Sequence, residues 1–178
     1  MNDLNTLYVV VSGAGTARRI PELIELLSPE FDRVIVVPTE NARRVISQRE
    51  LALLDRVDVV DSYFDETIQP YPPEGIVLVA PCTFNSLNKL AAGIADTLAL
   101  SIVAEAIGRE TPVVVAVSVN PPLYAHPRTA ASIETLRSWG VTVIEPAHED
   151  GWATLAGNLD IVRAVLAARD AYRDGAAE

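Results

Sequence analysis

Cysteine is nearly absent from this 178-residue chain, and the single Cys82 rules out an intrachain disulfide and any cysteine-rich zinc site. Histidine is almost as scarce. His126 and His148 are too few for a multi-histidine centre, so no metal is expected. Basic charge is also short: 14 Lys and Arg stand against 24 Asp and Glu, a formal charge of −10. Affinity for nucleic acid needs a cationic surface. The pairs Arg18-Arg19 and Arg43-Arg44 read only as solvated helix faces, so no nucleic-acid partner is expected. No hydrophobic run is long enough to cross a bilayer. The polar start, Met1 to Asn5, lacks the basic region and apolar core of a secretory signal. These absences lead to the expectation of a cytoplasmic protein without a membrane partner.

Apolar residues make up 49% of the chain, enough for one domain over 1–178 with a substantial core. Apolar, β-branched runs alternate with helical patterns. The spacing predicts strands over 7–12, 33–38, 57–60 (weak), 76–80, 112–118 and 141–145. Helices are predicted over 16–27, 41–54, 86–107, 127–139 and 152–173. Strands apolar on both faces and separated by helices imply a mostly parallel sheet covered on both sides. The expected fold is α/β: a doubly wound, three-layer α/β/α Rossmann-like (flavodoxin-like) sandwich. The stretch 61–75, with Pro70, Pro72, Pro73 and Gly75, reads as a flexible substrate loop, and 174–178 as a frayed tail. The predicted helix 86–107 is apolar around most of its circumference, which points to a contact with another copy of the chain.

In an open α/β sheet, ligands bind beyond the carboxyl ends of the strands. Four such ends carry small or polar groups. Ser12-Gly13-Ala14-Gly15-Thr16 follows the first strand and opens a helix, which suits close approach to a phosphate. The dinucleotide fingerprint fails there, because its third glycine position is Arg18. Thr39 follows the second strand, as a helix cap or a hydroxyl donor to a ligand. Pro81-Cys82-Thr83-Phe84-Asn85-Ser86 sets three polar residues between a strand and a long helix. Beyond Val117-Ser118-Val119, Asn120 stands before Pro121-Pro122, either as a turn former or as an amide for a carboxylate. His126 reads as the residue that opens a helix before Pro127.

The run Pro81 to Ser86, followed by Lys89-Leu90-Ala91-Ala92-Gly93-Ile94-Ala95-Asp96, resembles a paired motif of the homo-oligomeric flavin-containing cysteine decarboxylases. Asn120, the His126-Pro127 pair and Gly140-Val141-Thr142-Val143 also agree with that family. It includes phosphopantothenoylcysteine decarboxylase and the peptidyl-cysteine decarboxylases of lantibiotic pathways, and flavin prenyltransferases are its relatives. The resemblance implies FMN at the carboxyl edge, within a trimer or a dodecamer. Gly13, Gly15, Thr16 and Thr39 would meet the phosphate, and Thr83, Asn85 and Ser101 would belong to the flavin pocket. The ring would lie by Ala116, Val117 and Ser118. Asn120 would hold the substrate carboxylate, with Leu123 beside it.

Two departures bear on the chemistry. The family's basic histidine falls at Thr67, leaving Asp65 or Glu66 as substitute catalytic bases if burial raised a pKa. No cysteine follows Cys82, so the reductive completion of coenzyme A precursors lacks its acid. The resemblance therefore implies FMN-dependent oxidative decarboxylation of a C-terminal peptide cysteine to an aminoenethiol, with a peptide or small thiol as substrate. The alternative is an FMN-binding electron-transfer or regulatory subunit without decarboxylase activity. A phosphopantothenoylcysteine decarboxylase or a flavin prenyltransferase ranks lower. The prenyl phosphate would need a basic site, and Arg18, Lys89 and Arg128 are scattered in sequence.

Overall fold

The computed structural model describes residues 4–69, 72, 74–149 and 152–175. Strands β1 (Thr6–Val11), β2 (Arg33–Pro38), β3 (Val57–Val59), β4 (Ile76–Cys82), β5 (Val113–Val117) and β6 (Thr142–Ile144) form one parallel sheet in the order β3-β2-β1-β4-β5-β6. The β-branched runs of β1, β2, β4 and β5 are buried on both faces, as a sheet covered twice requires. Helices α1 (Ile20–Leu27) and α7 (Asn158–Gly175) pack on one face with Leu7, Val9, Leu78 and Val114. Helices α3 (Phe84–Ala91), α4 (Leu98–Gly108) and α6 (Pro127–Ser138) pack on the other with Tyr8, Val10, Val77 and Val115. The doubly wound α/β/α sandwich read from the sequence is the observed fold. Short α2 (Gln48–Leu51) and α5 (Pro121–Tyr124) complete the helices, and β7 (Ala147–Glu149) pairs with β8 (Trp152–Thr154) as a separate hairpin.

Several expected boundaries are corrected. The single helix over 86–107 is two helices. α3 closes with Gly93 at φ +68, where Gly93 N–H donates to Leu90 O and Ile94 N–H to Lys89 O. That paired arrangement ends a helix and favours glycine at the left-handed position. α4 restarts at Thr97, whose side chain accepts the Leu100 N–H at 3.3 Å. Each piece buries one face in the same core, so an all-round apolar helix no longer argues for a second copy. The helix over 41–54 reduces to a 3-10 turn at Ala42–Arg44 and α2, capped by Ser47. The helix over 152–173 begins only at Asn158, because Trp152–Thr154 is strand. Within 61–75, a 3-10 turn at Glu66–Ile68 buries Ile68 against the sheet, while residues 70, 71 and 73 lie outside the described set. The tail expected over 174–178 begins as the last residues of α7, and 176–178 lie outside the described residues. No helix among the described residues is long and apolar enough to cross a membrane.

The α4 cap gives a direct test. Thr97→Ala removes the acceptor for the Leu100 N–H and should cost about 1 kcal/mol. For a chain of this length that is a drop of about 2–4 °C in Tm. Thr97→Ser should keep the parental value. Equal melting of the alanine and serine variants would show that the cap does not hold the helix start.

Candidate functional site

The last ladder bonds of the sheet bring four loops to one level. Thr39 N–H donates to Val11 O (2.9 Å), Ser12 N–H to Pro81 O (3.2 Å) and Ser118 N–H to Cys82 O (2.9 Å). Side chains tie the same loops crosswise. The buried Ser12 and Ser86 hydroxyls lie 2.9 Å apart, and Thr16 Oγ1 lies 2.8 Å from Ser118 Oγ. Ser12 and Ser86 belong to two of the polar runs that follow β1 and β4, but their pairing with each other has no signal in the sequence.

Each loop presents donors. The 3-10 turn Gly15–Arg19 runs on into α1, and its cap residue Ala14 gives no side-chain capping bond. The leading N–H groups of that helical start are therefore left for a ligand. Gly13 is packed so closely that a Cβ would stand 2.5 Å from Asn41 Cβ, whereas a Cβ on Gly15 would meet open space. Thr39 Oγ1 accepts the Ala42 N–H at 3.3 Å, which leaves its own proton to give. Thr83 caps α3 by accepting the Ser86 N–H, and the exposed Asn85 follows on the first turn.

Asn120 Oδ1 accepts the Leu123 N–H at 3.0 Å and so caps α5. This bond fixes the amide with its NH2 group outward, on an exposed residue with two donors remaining. Leu123 is exposed on the same turn. His126 caps α6 through Nδ1, which accepts the Arg128 N–H, and its ring meets Phe84 edge-on at 5.3 Å. The structure thus agrees with His126 as the residue that opens the helix.

Other expected residues are placed differently. Ala116 and Val117 bury their side chains in the two opposite cores, so a ring beside them would meet backbone at the end of β5. Ser101 bonds Ala95 O on the first turn of α4, and among the described residues no hydrogen bond joins it to the strand-end loops. Asp65 does not meet the condition for a base. Its carboxylate accepts the Thr67 N–H at 2.8 Å, and hydrogen bonding to Thr67 holds its pKa below the usual value. The same turn lies beside Arg33, which opens β2, and Glu66 shares it. Asp65 and Glu66 are therefore not brought to Asn120 within one chain. The reason is topological: the connection from β3 must return to the amino edge before β4 begins. Cys82 is the last residue of β4, fully buried, and burial pushes its thiol up to about 12.

Two groups had no legible sequence signal. Arg19 donates to Leu155 O, Ala156 O and Asn158 Oδ1, each at 2.9 Å, tying the exit of the β7–β8 hairpin to the glycine loop. On the other side, Tyr124 Oη donates to Glu145 (2.5 Å), which also accepts from Arg137 (2.9 Å), and His148 meets the Tyr124 ring edge-on. The Tyr124 and Arg137 hydrogen bonds hold the Glu145 carboxyl below its usual pKa. Among the described residues, no three metal-ligating side chains cluster.

A family model described as Flavoprotein matches residues 1–169. The coenzyme A biosynthesis bifunctional protein CoaBC of Thermococcus kodakarensis is 38% identical over 91 residues, covering 51% of this chain and 22% of that protein. The CoaBC protein of Mycobacterium tuberculosis is 33% identical over 146 residues, covering 79% of this chain. The chain spans only 34% of that relative's length. Among solved structures, the FMN-dependent cysteine decarboxylase TvaF from thioviridamide biosynthesis superposes with a TM-score of 0.75 at 27% identity, covering 93% of this chain and 98% of that one. A PPC decarboxylase mutant complexed with pantothenoylaminoethenethiol gives a TM-score of 0.77 at 20% identity, covering 91% and 96%, a likeness of fold.

Proposed function

This chain belongs to the flavoprotein family, and on that footing we propose that it binds FMN at the carboxyl edge of its sheet and oxidatively decarboxylates a C-terminal peptide cysteine to an aminoenethiol. The observation that carries the reading is the set of neutral donors held at one level by the Thr39, Ser12 and Ser118 ladder bonds. A phosphate monoester fits the N–H groups of Gly13, Gly15 and Thr16, the intervening Ala14 N–H being bound to Ser12 O, and the Thr39 hydroxyl, which accepts from Ala42 N–H and keeps its own proton to give. Asn85 adds an exposed amide, and Thr83 and Ser118 add hydroxyls paired with Ser86 and Thr16, groups suited to a flavin; Ser101 belongs to the same proposal. The resemblance to TvaF supports both the cofactor and a cysteine substrate. A homo-oligomer, trimer or dodecamer, belongs to the same proposal, as does a cytoplasmic setting.

FMN, when bound, would supply a two-electron acceptor for hydride from the cysteine Cβ; with the thiol proton released to water, this leaves a thioaldehyde β to the carboxylate. Asn120 is oriented by its cap bond to Leu123 so that Nδ2 can hold that carboxylate, and Leu123 flanks it. Loss of CO₂ from this arrangement leaves an enethiolate and needs no proton at carbon. Cys82 could not return one, because it is a buried neutral thiol. That favours the oxidised product over the reduced coenzyme A precursor.

The position of Asp65 favours a second reading, an FMN-binding protein without decarboxylase activity, since its lowered pKa makes it a poor acceptor of the thiol proton. One experiment separates the two. The protein is loaded with FMN, its visible spectrum recorded, and a peptide ending in cysteine added without oxygen. Bleaching, with a product lighter by CO₂ and two hydrogens, is the expected result. An unchanged flavin spectrum supports the second reading. Failure to take up FMN overturns both.

A further inference from the structure

At the amino edge of the sheet, opposite the proposed flavin site, helices α3, α4 and α6 all end in the same way. Each is closed by a pair of bonds: Gly93 and Ile94 N–H to Leu90 and Lys89 O, Glu110 and Thr111 N–H to Ile107 and Ala106 O, Gly140 and Val141 N–H to Arg137 and Leu136 O. The left-handed position is glycine in two of them, Gly93 at φ +68 and Gly140 at φ +82. In the third it is Glu110, at φ 59. Such a conformation costs a residue with a Cβ about 1 kcal/mol or more relative to glycine. Arg56 shares it, but its guanidinium is engaged by Phe31 O at 2.8 Å. The exposed Glu110 carboxylate makes no ion pair or hydrogen bond among the described residues.

The three helix ends surround two adjoining cavities of about 480 and 460 Å³ that share Ile107, Glu110 and Trp139. Both volumes lie in the range of small-molecule sites. Trp139 is 45% exposed between them, and Ile94 is 42% exposed at one end. Three helix carboxyl termini give the groove a negative pole in addition to Glu110. The basic residues near those ends are engaged elsewhere: Lys89 with Asp96, Arg109 with Glu105 and Arg137 with Glu145. Of the basic residues on the neighbouring α7, Arg169 turns to Glu30 and Arg173 to Asn5.

We propose that this groove is a second binding site, for a small organic cation with an aromatic or alkyl body. The body lies against Trp139 and Ile107, and the ammonium or guanidinium meets Glu110 and the three helix ends. An aromatic face and a carboxylate together select a cation over a neutral molecule of the same shape. The left-handed glutamate is the cost in stability of placing that carboxylate between the cavities.

The test uses the full chain with FMN present, titrated with benzylammonium and, separately, with benzyl alcohol, following the Trp139 indole N–H by NMR. Saturating shifts with benzylammonium, and at least tenfold weaker binding of benzyl alcohol, are expected. Glu110→Gly should weaken benzylammonium about tenfold while raising Tm by about 2–4 °C, because glycine relieves the left-handed strain. FMN uptake should stay unchanged. Equal binding of the two probes, or Glu110→Gly binding like the parent, would overturn the proposal and leave an apolar surface. A Trp139 signal that ignores benzylammonium but changes on dilution of the protein would also overturn it, giving the groove to a second copy of the chain.

Discussion

Gly13→Ala should lose both stability and FMN affinity. The new Cβ would stand 2.5 Å from Asn41 Cβ and 2.8 Å from the Asn41 carbonyl carbon, distances at which something must shift. No left-handed backbone is involved, so the cost is one of contact. Overpacking of this kind costs roughly 1–3 kcal/mol. For a chain of this size that is a fall of several degrees in Tm. Whichever loop gives way carries proposed phosphate contacts: Gly13, Gly15 and Thr16 on one side, Thr39 on the other. Affinity for FMN should fall at least tenfold, more than a stability loss remote from the site would cause. Asn41→Gly in the same chain should restore only part of both, since it removes the side-chain contact and leaves the backbone one. Thermal melting and a fluorescence titration with FMN read the two effects separately. Parental FMN affinity in a Gly13→Ala protein would remove this loop from the cofactor site.

Asn120 carries the second large effect, and two variants divide its roles. Asn120→Ala deletes both the cap on Leu123 and the outward amide, costing about 1 kcal/mol of stability through the cap. On the proposed function it should also lower turnover of a cysteine-ending peptide about 100-fold, the usual scale for one lost stabilising donor. Asn120→Asp keeps an oxygen for the Leu123 N–H, so its Tm should match the parent. Its negative charge would face the substrate carboxylate, and turnover should fall as far as in the alanine variant. FMN content should be unaffected in both. Parental turnover in Asn120→Asp would show that the residue is a cap and nothing more. Loss of FMN would place it with the cofactor instead.

The sequence by itself determined the layers and the level at which the proposed site residues stand. Runs such as Val34 to Val37 and Val113 to Val117 can be satisfied only by a sheet buried on both faces, and a parallel sheet puts every loop that follows a strand at one edge. Gly13, Thr39, Thr83 and Asn120 could therefore be assembled into one site from their place after strands. The break in the helix over 86–107 was also written locally, in Gly93 and Thr97, but the apolar periodicity across it was the stronger pattern. What only the tertiary structure decided depends on groups distant in sequence. The Ser12–Ser86 and Thr16–Ser118 hydroxyl pairs and the Arg19 contacts to Leu155 and Ala156 join positions 74 to 137 residues apart, with no local periodicity to announce them. The placement of the Asp65 turn was decided in the same way, by the bond from Arg33 to Thr67 O across 34 residues. A carboxylate's pKa depends on which dipoles and charges surround it: the Thr67 N–H two residues on lowers that of Asp65 locally, and the return of the chain toward Arg33 decided where that turn sits.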